Sequence, residues 1–153
     1  MLITVGSRAA QTIQQVEMLA VQPRVEVFLA PEGELSDGSV LTASASTLIL
    51  RVSARPRGGE GDPRRVAERL AGNALRVLLA RPVEAVVATG GDTAVALLER
   101  IGTPVLQVMG ELLPGIPYCR LEFGGRRLWL VTKAGGFGTP ETLIDIVRKL
   151  RSD

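Results

Sequence analysis

The chain has 153 residues, 46% of them hydrophobic and 22% charged, with a formal net charge of +2. This is the length of one ordinary domain with enough apolar residues for a real core, which excludes a disordered chain. With no histidine and the single cysteine Cys119, Ser-His and Cys-His nucleophiles, histidine-bound metals, thiolate zinc sites and internal disulfides are excluded as well.

Leu2–Val5 is a short apolar run and reads as a buried strand, broken by Gly6-Ser7. Over residues 8–20, Ile13, Val16, Leu19 and Ala20 fall at helical spacing. A second strand is expected at 24–29, then a Pro-, Gly-, Asp- and Ser-rich loop with a short helix at 30–46, then a strand at 47–52. The stretch 54–63 holds three glycines and two prolines and reads as a mobile loop. Arg51, Arg55, Arg57, Arg64 and Arg65 crowd around it. That cluster suits either an anion patch or a solvated loop. The mild charge and the 3% aromatic content favour the loop and disfavour nucleic-acid binding.

Asp62-Pro63 has the residues for an N-cap and a first helical position, and the helix should run to about Ala80 before Pro82. Strand 84–88, the turn Gly90-Gly91, helix 92–101 with Gly102 as its stop, and strand 104–108 follow. Residues 114–117 form a turn, and 119–123 and 126–131 flank Gly124-Gly125 as a hairpin. A glycine turn at 134–138 leads through Thr139-Pro140 into a last helix, 141–150. Alternating strands and helices predict an α/β fold, a three-layer α/β/α sandwich over residues 1–153 as one domain. Its sheet is mostly parallel, with a late antiparallel hairpin. The scarcity of aromatics fits strands buried on both faces.

Three turns stand between a strand and a helix: Val5-Gly6-Ser7, Thr89-Gly90-Gly91-Asp92-Thr93, and Lys133-Ala134-Gly135-Gly136-Phe137-Gly138. Glycine lets backbone approach a ligand, and a helix start offers unpaired N–H groups and positive potential, which suit phosphate. Asp92 would repel phosphate unless it caps its helix, bonds a ribose hydroxyl or holds Mg2+. Lys133 is either a charge for phosphate or a surface lysine at a strand end. In parallel sheets, ligands sit beyond the carboxyl ends of strands, where all three turns fall. No G-x-x-x-x-G-K-[ST] occurs, and Gly136-Phe137-Gly138 fails to complete G-x-G-x-x-G because position 141 is Glu. Walker and dinucleotide sites are therefore disfavoured.

In order along the chain, these pieces resemble the C-terminal nucleotide-binding domain of the four-carbon acid sugar kinases. Gly6-Ser7 with Thr12 and Gln15 is similar to that family's opening. Thr89-Gly90-Gly91-Asp92-Thr93-Ala94 is similar to its Gly-Gly-Asp/Glu-Thr turn, and Gly110-Glu111 with Pro114-Gly115-Ile116-Pro117 to its Gly-Glu…Pro-Gly segment. Thr132-Lys133-Ala134-Gly135-Gly136-Phe137-Gly138 is similar to its glycine signature. Two departures are Arg8-Ala9-Ala10, where the family carries a Ser-Pro-like pair, and Ala134, where serine is common. Neither removes a backbone N–H.

The resemblance implies ATP as the nucleotide, with Mg2+, and a phosphoryl transfer to a threonate-, erythronate- or oxo-tetronate-like acid. It implies nucleotide contacts from Ser7, Gly90, Gly91, Asp92, Thr93 and Gly135; the third turn's own pattern adds Lys133 and Gly136, and Asp92 and Glu111 are candidate holders of Mg2+ by residue type. Family members carry an N-terminal sugar-acid-binding domain to which nothing here corresponds. The expectation is ATP binding without competence for transfer unless a separate domain or subunit supplies the acceptor site. The alternative is a non-catalytic nucleotide- or anion-binding module of the same fold. Self-association stays open. No run of about 18 apolar residues and no signal peptide are found, so a cytoplasmic, non-membrane protein is expected. A first residue directly on a strand also fits a trimmed or separated domain.

Overall fold

A computed structural model describes residues 1–53 and 62–152. The arginine-bearing loop expected at 54–63 therefore lies, over 54–61, outside the described residues.

Among the described residues, seven strands form one sheet in the order β2-β3-β1-β4-β7-β6-β5. They are β1 (Leu2–Val5), β2 (Val25–Leu29), β3 (Thr47–Arg51), β4 (Ala85–Thr89), β5 (Gln107–Leu113), β6 (Ile116–Phe123) and β7 (Arg126–Lys133). The first four of that order and β7 run parallel, whereas β6 is antiparallel to both of its neighbours. The helices are α1 (Ala10–Ala20), α2 (Ser39–Thr42), α3 (Pro63–Ala80), α4 (Gly91–Arg100) and α5 (Thr142–Ser152).

The period of two along each strand sends alternate residues to opposite faces. Ile3, Val5, Ile49, Val87 and Val131 pack under α1 and α5, with Val16, Leu19, Leu143, Ile146 and Val147. Leu2, Leu48, Leu50, Val86, Ala88 and Leu130 pack under α3 and α4, with Leu70, Ala74, Val77 and Leu97. Both faces of the central strands are dry, and the result is the three-layer sandwich that the apolar runs predict.

Local chemistry fixes the ends of the elements. Pro63 opens α3, and the Asp62 carboxylate accepts from the Arg64 N–H at 3.0 Å. Gly124 and Gly125, with φ of 57° and 72°, close the β6–β7 hairpin as a two-residue turn that side chains rarely tolerate.

The largest departure from the expected elements lies at β5. The strand expected at 104–108 instead spans Gln107–Leu113 as an edge strand, joined to β6 through Pro114-Gly115. Gly110, at φ 129°, sits between two register irregularities, so the ladder tolerates a residue that reads as a loop. Burial there is one-sided at best, and apolar alternation gives no signal.

Candidate functional site

The chain leaves β1 through α1 on one face and leaves β4 through α4 on the other, while β1 and β4 lie side by side. Their carboxyl ends form the switch point at which an open parallel sheet leaves a crevice. β7 adjoins β4, so the turns after β1, β4 and β7 meet across three neighbouring strands. The Gly6 N–H donates to the Thr89 carbonyl at 3.3 Å, and the Gly90 N–H donates to the Lys133 carbonyl at 2.9 Å, which bridges the three strand ends.

The turns are packed too closely for side chains at two positions. A Cβ on Gly6 would strike the Thr93 hydroxyl, and a Cβ on Gly135 would strike the Ser7 side chain. Gly90, at φ 101°, caps α4. Asp92 is therefore not the N-cap, a role the sequence left open. It sits exposed in the first turn of α4 with no capping bond.

The loop after β7 is bound through its carbonyl groups. From α1, Thr12 donates its hydroxyl to the Gly135 carbonyl, Gln11 donates to Gly138 at 2.7 Å, and Gln15 donates to Phe137 at 3.0 Å and Thr139 at 2.8 Å. From beneath, the Lys133 ammonium donates to the carbonyls of Ala134 at 2.8 Å and Gly135 at 3.2 Å. Among the described residues, the N–H groups of Gly135, Gly136, Ser7, Gly91, Asp92 and Thr93 find no acceptor. Carbonyls tied inward with N–H groups left unpaired make a surface suited to anions, reinforced by the start of α4.

A cavity of about 210 Å3 lies at this junction, lined by Gly6, Ser7, Arg8, Pro63, Val66, Ala67, Gly90, Gly91, Asp92, Thr93 and Gly135. It adjoins a groove of about 510 Å3 between the starts of α3 and α4, and Pro63, Ala67 and Asp92 belong to both. Another cavity, about 570 Å3, lies at the amino ends of the strands among Met1, Glu84, Arg127, Trp129 and Arg151, and no residue of the three turns lines it. A shallow groove of about 680 Å3 among Arg24, Glu26 and Ser46 is larger still, so size does not pick out the site. The unpaired N–H groups point to the smaller cavity.

Of the residues singled out from sequence, the structure brings Ser7, Gly90, Gly91, Asp92, Thr93 and Gly135 together around one cavity. Gly136 is exposed on the same loop but does not line the cavity. Lys133 is only 2% exposed and sits under the loop, so it is not a surface lysine. Burial pushes its ammonium down to about 8. Glu111 stands on the edge strand β5, where its carboxylate accepts from the Gly115 N–H at 3.1 Å, outside the cavity lining. Sequence reading missed Arg8. A cation directly after a strand-end Gly-Ser was the available signal. No cluster of three metal-ligating side chains occurs among the described residues, and no described helix is long and apolar enough to cross a membrane.

The sequence profile of the nucleotide-binding C-terminal domain family matches residues 2–143. The chain belongs to this family. It is 36% identical over 112 residues to a D-threonate kinase of Bordetella bronchiseptica, covering 72% of this chain and 27% of that protein. It is 25% identical over 144 residues to a 3-oxo-tetronate kinase of Pseudomonas savastanoi, covering 94% of this chain and 33% of that protein. A crystal structure of a domain of unknown function from Bordetella bronchiseptica, solved with citrate as a domain-swapped dimer, superposes with a TM-score of 0.84 at 29% identity. That match covers 98% of this chain and 40% of the other. The chain thus spans 27% to 40% of the length of these three proteins, and the first two are named as sugar-acid kinases.

Proposed function

We propose that this domain binds Mg-ATP at the junction of its three turns and serves as the nucleotide half of a four-carbon acid sugar kinase. The observation that carries the reading is that Ser7, the start of α4 and Gly135, whose N–H groups have no acceptor among the described residues, all line one cavity. The phosphates would lie there, against backbone donors and the start of α4. The adjoining groove between α3 and α4 leaves room for the nucleoside.

The donor set also fits magnesium. A phosphate-bound Mg2+ keeps several waters and takes only one or two carboxylates, and Asp92 is the carboxylate lining the cavity. Bound with the nucleotide, the ion would offset phosphate charge next to Asp92. The buried Lys133 acts at one remove, because its ammonium holds the Ala134 and Gly135 carbonyls and so fixes the loop that borders the cavity.

Transfer needs an acceptor hydroxyl held in line with the terminal phosphate. The chain corresponds to about a third of its kinase relatives, so we assign the acceptor site to a separate domain or subunit.

Thermal unfolding with and without Mg-ATP tests the reading. Ligand at about 100 times its Kd adds roughly 2.7 kcal/mol, or about 5–10 °C for a domain of this size. Gly91→Val is the matched variant. Open space at its Cβ position predicts a folded protein, while the added side chain stands at the cavity wall. A shift in the wild type that disappears in Gly91→Val supports the site. No shift at millimolar Mg-ATP refutes it. Nucleotide binding without turnover, even after a sugar-acid-binding domain is added, would favour the non-catalytic module.

A further inference from the structure

The site holds one cation that no glycine motif explains. Among the described residues, Arg8 is the positively charged residue of the cavity lining and Asp92 the negatively charged one. The Arg8 Nε donates to the Ser53 carbonyl at 3.1 Å, and Nη2 donates to the Glu32 carboxylate at 3.3 Å. Nη1 has no partner among the described residues. The guanidinium is therefore anchored at one edge and paired with Glu32 at the other, and among the described residues no other positive side chain lines the cavity.

Glu32 is held in that position at a cost. It lies in the left-handed region, with φ 52° and ψ 26°, which non-glycine residues rarely occupy. The turn carrying it is fixed against α3: the Gly33 carbonyl accepts from Asn73 Nδ2 at 2.9 Å, and a Cβ on Gly33 would strike the Val66 carbonyl. Strained backbone kept in place by its surroundings is the pattern of a positioned functional group.

We propose that Arg8 is the side chain with which this site reads polyphosphate, and that Glu32 is an internal competitor it leaves for a phosphate oxygen. This rests on the reading that the cavity takes nucleotide phosphates. The Nε bond to Ser53 keeps the guanidinium plane in place, so exchange needs only the Nη groups to trade a carboxylate for a phosphate. A fork of N–H donors suits both partners. A polyphosphate, with more negative charge than a carboxylate, wins the exchange. A lone phosphate gains less, so Glu32 lowers affinity for nucleoside monophosphates and spares it for triphosphates.

The test is calorimetric titration of wild type, Arg8→Ala, Arg8→Lys, Glu32→Gln and the double variant with Mg-ATP and with AMP, after melting curves show each protein folded. Losing a charge-assisted contact should weaken Mg-ATP about 10- to 100-fold in Arg8→Ala, and AMP by no more than about 3-fold. Arg8→Lys, which keeps charge but not the fork, should fall between. Glu32→Gln should tighten AMP several-fold and Mg-ATP by less, and that gain should disappear when Arg8 is alanine, because the two act as a pair. Equal losses for ATP and AMP in Arg8→Ala overturn the proposal. So does a Glu32→Gln gain that persists without Arg8, which would mean simple repulsion by Glu32. If the wild type binds neither nucleotide, the phosphate site itself is refuted and Arg8 with it. If the wild type binds and Arg8→Ala binds equally well, only the role of Arg8 is refuted.

Discussion

Gly135 and Gly136 are neighbours in one loop, yet an alanine should be tolerated at only one of them. A Cβ at Gly135 would meet the Ser7 hydroxyl and lie 2.9 Å from the Ser7 Cβ, whereas a Cβ at Gly136 would meet nothing within 4 Å. Ser7 has little room to retreat, because its Oγ accepts from the Ala9 N–H at 3.2 Å and lies 3.4 Å from the Thr12 hydroxyl. Overpacking of this kind costs about 1–3 kcal/mol. At about 2–4 °C per kcal/mol for a domain of this size, Gly135→Ala should melt roughly 2–12 °C below wild type. Gly136→Ala should stay within about 2 °C of it. Adding Ser7→Gly to Gly135→Ala removes the clashing partner and should recover most of the loss, a coupling that independent sites would not show. Circular dichroism melts of the four proteins decide the matter. Equal melting temperatures for the two single alanine variants would refute the packing of the first and third turns described above.

Other outcomes follow from the same geometry. Lys133 titrates near 8 in the folded protein against its ordinary 10.5. Between those values the unfolded chain holds a proton that the folded protein has released, so this residue makes stability rise with pH across that window. Denaturant unfolding of wild type and Lys133→Met between pH 7 and about 10.5 should show the increment only in wild type, and parallel curves would refute it. Gln15→Leu strips the Phe137 and Thr139 carbonyls of their donor. A loss of about 1–3 kcal/mol is expected, with faster amide exchange confined to residues 135–142, and uniform loosening would argue against a local clamp. Asp62→Ala removes the cap on α3 and should cost about 1 kcal/mol, read as a fall of about 2–4 °C in Tm. No change would mean that the carboxylate bond to Arg64 contributes nothing.

Much of this fold was written locally. Leu2–Val5, Thr47–Arg51 and Ala85–Thr89 are apolar runs too short for helices, and the Asp62-Pro63 pair and Gly124-Gly125 mark their turns by chemistry that acts over a few residues. The β5 edge strand was not legible, because Gly110 and Glu111 carry no strand pattern and only pairing with β6 makes them extended. Asp92 reads as a cap by residue type. Tertiary packing gives that position to Gly90, whose φ of 101° no other residue adopts readily.

The glycine turns could be found by composition, since close backbone approach demands glycine wherever it occurs. What they approach is a property of the sheet. Strand order placed β1, β4 and β7 side by side and so brought residues 7, 93 and 135 to one cavity. The same assembly buried Lys133 beneath the loop and set Arg8 against Glu32. Sequence determines which segments are strands, helices and turns because hydrogen bonding and apolar period act within a few residues. It does not display which strand ends meet, because that depends on contacts between residues more than a hundred positions apart, such as Thr12 with Gly135.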